Sequence, residues 1–145
     1  MFSSAYQLGS RRPSATNYRD VGAATAVDGA SSHKLVSLLF QAVSSEIAKA
    51  RGAITRTDIS EKCRAIGHAV RIVEEGLLAP LNLSVGGALA LNLHDLYQYL
   101  IQRLTWANLK TDDAVLVECA KLIDVLRQGW DAIADQVDMP ALAAA

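Results

Sequence analysis

The sequence predicts an all-α protein folded as an antiparallel up-down four-helix bundle, and three observations carry that prediction. Apolar residues recur at steps of three and four in four separate segments. Capping and turn residues punctuate the joints between those segments. No stretch alternates apolar and polar residues as a half-buried strand does. Amphipathic helices joined by short turns pack as antiparallel neighbours.

The opening residues, 1–30, are rich in Ser, Ala, Gly and Thr and show no sustained period. They read as a flexible N-terminal arm. Tyr18 and Val21 are spaced to share a helical face, so a short capping helix fits there. The first long helix is expected over residues 32–54, with Ser31 or Ser32 as its cap. Its apolar residues are Leu35, Val36, Leu39, Phe40, Ala42, Val43, Ile47, Ala50 and Ile54. They cover an arc of roughly 160°, wider than the ~100° stripe one core contact needs.

A second helix is expected over residues 58–78, with Asp58 as N-cap and Glu61 at the capping-box position. Ile59, Cys63, Ile66, Val70, Val73 and Leu77 form a narrow seam, with Lys62 and Arg64 outside it. Pro80 and the pair Gly86-Gly87 make residues 78–87 read as a loop. The third helix, 87–108, carries Leu89, Leu93, Leu96, Leu100 and Leu104 on one stripe. Tyr97, Tyr99, Ile101 and Trp106 point off that stripe, a surplus of apolar surface. Asp112 caps a fourth helix over residues 112–137, whose seam is Leu116, Cys119, Ile123, Leu126, Trp130, Ile133 and Val137. Pro140 and an Ala-rich stretch make 139–145 a disordered tail.

Composition narrows the function classes. The chain has 145 residues, 51% hydrophobic and only 20% charged, with a net charge of −1. That fits one domain with a sizeable core and some surface greasiness. The charge balance offers no footprint for nucleic acid. The longest stretch free of Asp, Glu, Lys and Arg, residues 76–94, is broken by Pro80, Asn82, Gly86, Gly87 and Asn92, so no membrane insertion is expected. No export signal is recognisable, and the expected location is the cytoplasm. Cys63 and Cys119 read as buried, reduced thiols.

Nothing points to catalysis. His33, His68 and His94 fall on three helices without the Glu-x-x-His spacing of a bundle metal site, and Cys-x-x-Cys is absent. There is no Gly-x-Ser-x-Gly and no phosphate loop. Gly86-Gly87 reads as a turn before it reads as an anion site, and Asp112-Asp113 as a capping pair before an acid–base dyad. The expectation is a non-enzyme with no metal and no cofactor.

Several motifs stand in order along the chain. They are Gly86-Gly87, then Leu93-His94-Asp95-Leu96-Tyr97-Gln98-Tyr99, then Arg103-Leu104-Thr105-Trp106-Ala107-Asn108-Leu109-Lys110-Thr111-Asp112. Upstream lie Ala30-Ser31-Ser32-His33-Lys34-Leu35, Leu39-Phe40-Gln41-Ala42, and Asp58 with Lys62; downstream are Leu126-Arg127 and Trp130. Over residues 18–135 this pattern closely resembles the FliS family of flagellar secretion chaperones. Tyr18 and Val21 resemble the family's N-terminal Tyr and Val. The chain departs from the family pattern in three places: Ser32 stands for a Pro, Phe40-Gln41-Ala42 for Tyr/Phe-Asp-Gly, and Ala88 for a Glu.

The resemblance implies a cytosolic export chaperone with an N-terminal capping helix. Such a chaperone binds the C-terminal segment of flagellin and prevents its premature polymerisation. It then hands flagellin to the type III export machinery, whose export-gate component is the further partner implied. A segment that folds on binding needs a wide apolar surface, because ordering it costs about 2–5 kcal/mol or more. The candidate flagellin-binding residues are therefore Val36, Leu39, Phe40, Val43 and Ile47 on the first helix, Tyr97, Ile101 and Leu104 on the third, and Tyr18 in the arm. Core packing is the alternative for Phe40, Tyr97 and Ile101. The arm is expected to lie over the client groove and to move aside. A homodimeric bundle using the same surplus as a self-complementary interface is the alternative function.

Overall fold

The computed structural model describes residues 32–133, and every element in that span is helical. Helix α1 covers Ser32–Thr55, α2 Ile59–Arg71, α3 Leu83–Lys110 and α4 Asp113–Ala132, matching the four expected helices in number and order. The arm at 1–30, the tail at 139–145 and the far end of the fourth segment lie outside the described residues.

The caps follow the sequence. The Asp58 carboxylate accepts from the Glu61 N–H at 3.1 Å and opens α2, and Asp112 accepts from the Val115 N–H at 3.3 Å and opens α4. Two turns use the left-handed region at β-branched residues, Thr57 (φ 58°) and Thr111 (φ 49°). Helix α2 continues as a π-helical segment, Ile72–Leu78. Gly76 in that segment lies so close to α1 that a Cβ would stand 3.1 Å from the Leu39 side chain.

Four buried polar side chains, His33, Ser37, Glu46 and Lys62, each reach a helix other than their own and tie neighbouring helices together. His33 and Ser37 at the start of α1 bond to the Trp130 carbonyl and the Asp131 carboxylate at the end of α4, at 2.6 and 2.9 Å. At the other end of the same pair, Arg51 grips Asp113 through two N–H donors at 2.9 and 3.2 Å. Glu46 of α1 meets Arg64 and His68 of α2. Lys62 of α2 donates to the Asn108 carbonyl and the Thr111 hydroxyl at the end of α3, at 2.9 and 3.0 Å. Helix α1 thus packs on both α2 and α4, and α3 packs on the same two. Phe40 of α1 and Tyr97 of α3 meet across the centre, ring centroids 6.4 Å apart, and Trp130 closes the cluster edge-on to Phe40 at 6.5 Å.

The structure corrects several local expectations. The buried face of α3 is Ala90, Leu93, Tyr97, Leu100, Leu104 and Ala107, so Tyr97 belongs to the core stripe and Leu89 does not. The same displacement occurs on α2. Lys62 is buried and Cys63 exposed, because the helix turns Ala65 and Ala69 inward beside Ile66. Residues 83–86 form a helical turn capped by Asn82 rather than a loop, and Gly87 (φ 62°, ψ −143°) breaks it from the rest of α3. Only glycine adopts that backbone conformation without strain.

Candidate interaction surface

Helix α3 has two opposed apolar faces. The inner one repeats at steps of three and four from Ala90 to Ala107 and fills the bundle. The outer one carries Leu91 (53% exposed), Tyr99 (42%), Trp106 (45%) and Leu109 (73%). At 100° per residue these four positions fall within roughly a quarter-turn of each other, on the side away from the core. Asp95, Gln98 and Gln102 share that face and are exposed.

Polar partners hold the two aromatics in place. The Tyr99 hydroxyl donates to Glu118 Oε2 of α4, and Arg103 Nε donates to Oε1 at 3.0 Å. The hydrogen bond from Tyr99, ahead of that from Arg103, holds the Glu118 carboxyl below its usual value. The same bond raises the Tyr99 hydroxyl, so the pair stays neutral phenol and carboxylate at physiological pH. Lys110 Nζ sits over the Trp106 ring, 5.3 Å from its centroid, in a cation–π contact. Each ring thus has one polar partner and remains partly exposed to solvent. Covering each of these four side chains gains on the order of 1 kcal/mol or more. Several must act together to exceed the ordering cost of a folding client.

The candidate residues named from sequence lie mostly inside. Val36, Leu39, Phe40, Val43 and Ile47 of α1, and Tyr97 and Leu104 of α3, are core residues in this conformation, because α1 is flanked by two helices and Tyr97 faces Phe40. Ile101 is half-buried at the core's edge. Tyr18 lies outside the described residues. Tyr99, Trp106, Leu91 and Leu109 were not among the candidates. The signal that separates them from Tyr97 is the pair of small residues, Ala90 and Ala107, which mark the inner face.

Among the described residues, no three His, Cys, Asp or Glu side chains come together in a group that could hold a metal ion, and no helix is long and apolar enough to cross a membrane. Burial pushes the Cys119 thiol up to about 12, which keeps it protonated and unreactive.

A family model described as flagellar protein FliS matches residues 14–137. The chain belongs to the FliS family. It is 40% identical over 116 residues to the flagellar secretion chaperone FliSB of Pseudomonas aeruginosa, covering 80% of this chain and 91% of that protein. To the flagellar secretion chaperone FliS of Salmonella typhimurium it is 35% identical over 116 residues, covering 80% and 86%. The FliS landmarks now have physical roles in this chain. Gly86-Gly87 supplies the break that starts the main run of α3. The Leu-Tyr-x-Tyr divides its tyrosines, Tyr97 inward and Tyr99 outward. In the Ala-Asn-x-x-x-Asp turn, Ala107 allows close helix approach, Asn108 offers its carbonyl to Lys62, and Asp112 caps the next helix.

Proposed function

We propose that this FliS-family chain is a cytoplasmic export chaperone that binds the C-terminal segment of flagellin, prevents its premature polymerisation and delivers it to the flagellar type III secretion apparatus. The observation that carries the reading is the second apolar face of α3. A bundle helix needs one apolar face for its core, and a second one exposed to water fits a partner. An amphipathic client segment laid along Leu91, Tyr99, Trp106 and Leu109 would cover it by helix-in-groove packing. Tyr18 and the rim residue Ile101 are carried in the same proposal as flanking contacts. A contact with the export gate belongs to the delivery step.

Co-elution with a C-terminal flagellin fragment tests the reading. The wild-type chain is expected to retain the fragment. Trp106→Asp and Leu109→Asp are expected to keep helical circular dichroism and lose it, whereas Phe40→Asp is expected to unfold the bundle. Undiminished retention by the Trp106→Asp, Leu109→Asp double variant would remove α3's outer face from the proposal. A wild-type chain that never retains the fragment would remove flagellin as its client.

A further inference from the structure

The outer stripe of α3 mirrors itself about the midpoint between Gln98 and Tyr99. Asp95 lies as far before that point as Gln102 lies after it, and Leu91 is balanced in the same way by Trp106. Ala88, the first residue past the Gly87 break, is balanced by Leu109 near the end of the helix. All eight positions are exposed, and at 100° per residue they fall within an arc of about 100°.

Laid antiparallel on a second copy about a two-fold axis through that midpoint, the stripe meets a suitable partner at each position. Leu91 of one copy faces Trp106 of the other. Ala88, with no bulk beyond its Cβ, leaves room for Leu109, which is 73% exposed. Asp95, whose side chain is 74% exposed, faces the Gln102 amide, whose N–H groups donate to a carboxylate. Asp95 is the one charged residue within the arc. In the antiparallel pair its two copies stand seven residues apart along the axis, about 10 Å, near the screening length of salt water. A parallel pair would set Asp95 directly on Asp95 and oppose like charges. The size of the contact fits a reversible one. From Ala88 to Leu109 the helix is about 32 Å long and about 10 Å wide, roughly 300 Å² per copy. Twice that falls well short of the ~1,200–2,000 Å² of stable complexes.

We propose that the outer face of α3 pairs with the same face of a second copy, antiparallel about the Gln98–Tyr99 midpoint, in a weak dimer that shields the apolar stripe until a client takes it. The pairing stands on the stripe alone. The shielding rests on the reading of this face as the client site, and makes client binding a competition with self-association.

Sedimentation velocity of the full chain, with no flagellin present, tests the pairing. The wild-type chain is expected to pass from monomer towards dimer between about 10 µM and about 1 mM. Gln102→Lys sets an ammonium against Asp95 twice in the dimer and is expected to tighten it about threefold or more. Gln102→Glu sets a carboxylate there and is expected to weaken it by a similar factor, both effects fading at high salt. In a Cys63→Ser background, Gln98→Cys is expected to form an intermolecular disulfide on mild oxidation, whereas Val125→Cys, exposed on α4, is not. Adding the C-terminal flagellin fragment is expected to turn the dimer into a one-to-one complex. A monomer throughout that range, a dimer indifferent to both Gln102 substitutions, or equal cross-linking of Gln98→Cys and Val125→Cys would overturn the pairing. A fragment that binds the intact dimer would overturn the shielding. A fragment that never binds, beside a dimer that behaves as expected, would remove flagellin as the client and leave the pairing in place.

Discussion

His33 and Trp130 hold each other through two reciprocal hydrogen bonds, each ring N–H donating to the other residue's carbonyl. Nε2 of His33 lies 2.6 Å from the Trp130 carbonyl, Nε1 of Trp130 lies 2.9 Å from the His33 carbonyl, and the rings stack at 4.9 Å. Because a carbonyl only accepts, Nε2 carries the proton. The pair ties the first turn of α1 to the last of α4. Trp130→Phe keeps the stacked ring and deletes one bond, leaving a buried carbonyl with a partner fewer. We expect a loss of about 1–2 kcal/mol in urea denaturation, with the slope of the transition unchanged.

Glu46 makes stability acid-sensitive. Burial pushes its carboxyl up, but hydrogen bonds from His68 and Arg64 together outweigh that, and its pKa lies below the usual value. The folded state therefore favours the carboxylate. Its contribution is complete above the unfolded pKa, near 4.3, and is lost as pH falls through the lower folded value. Glu46→Gln is expected to be less stable at pH 7 and to show a shallower decline in melting temperature on acidification. The curve should flatten without becoming level, because Glu61 and Glu118 are shifted the same way.

The two cysteines should differ sharply towards a thiol reagent. Cys63 is exposed, whereas Cys119 is buried on α4 with its thiol pushed up to about 12. One equivalent of Ellman's reagent is expected to react promptly in the native protein, and the second only in denaturant. Cys63→Ser should abolish the prompt phase alone.

Glycine substitutions should act in opposite directions on two helices. Gly87→Ala forces a Cβ into φ 62°, where no neighbouring atom interferes and the backbone itself carries the cost, about 1–2 kcal/mol. Gly67→Ala, at an open helical position on α2, is expected to stabilise by up to about 1 kcal/mol. Thermal melts of the two variants against wild type check both signs.

The helices, their order and the caps Asp58 and Asp112 were legible because periodicity and capping are local properties. The rotation of each helix about its axis was not. One residue is 100° of turn, so a stripe flanked by apolar residues on both sides is easily centred one position off. On α3 the large leucines drew the stripe towards Leu89 and left Tyr97 outside. On α2 the seam was drawn through Cys63 rather than Lys62. In both helices the true inner face is marked by alanines, Ala90 and Ala107 on α3 and Ala65 and Ala69 on α2, which periodicity weighted by bulk passes over. Lys62 itself needed tertiary knowledge. Its stem is buried so that its ammonium can reach the end of a helix 46 residues away in sequence. The surplus on α3 was legible as a quantity, and only the packed bundle divides it into Tyr97 within and Tyr99 and Trp106 without.

The contact between the first and last helices also sets an order of events during synthesis. His33 and Trp130 are 97 residues apart, and α1 has no partner on its α4 side until α4 has been translated. At a ribosomal pace of about 5–20 residues per second, Phe40 and Val43 stay uncovered on that side for roughly 5–20 s. The nascent chain thus passes through an interval of exposed core, and its own solubility then depends on the charged outer faces of α1 and α2, which emerge first.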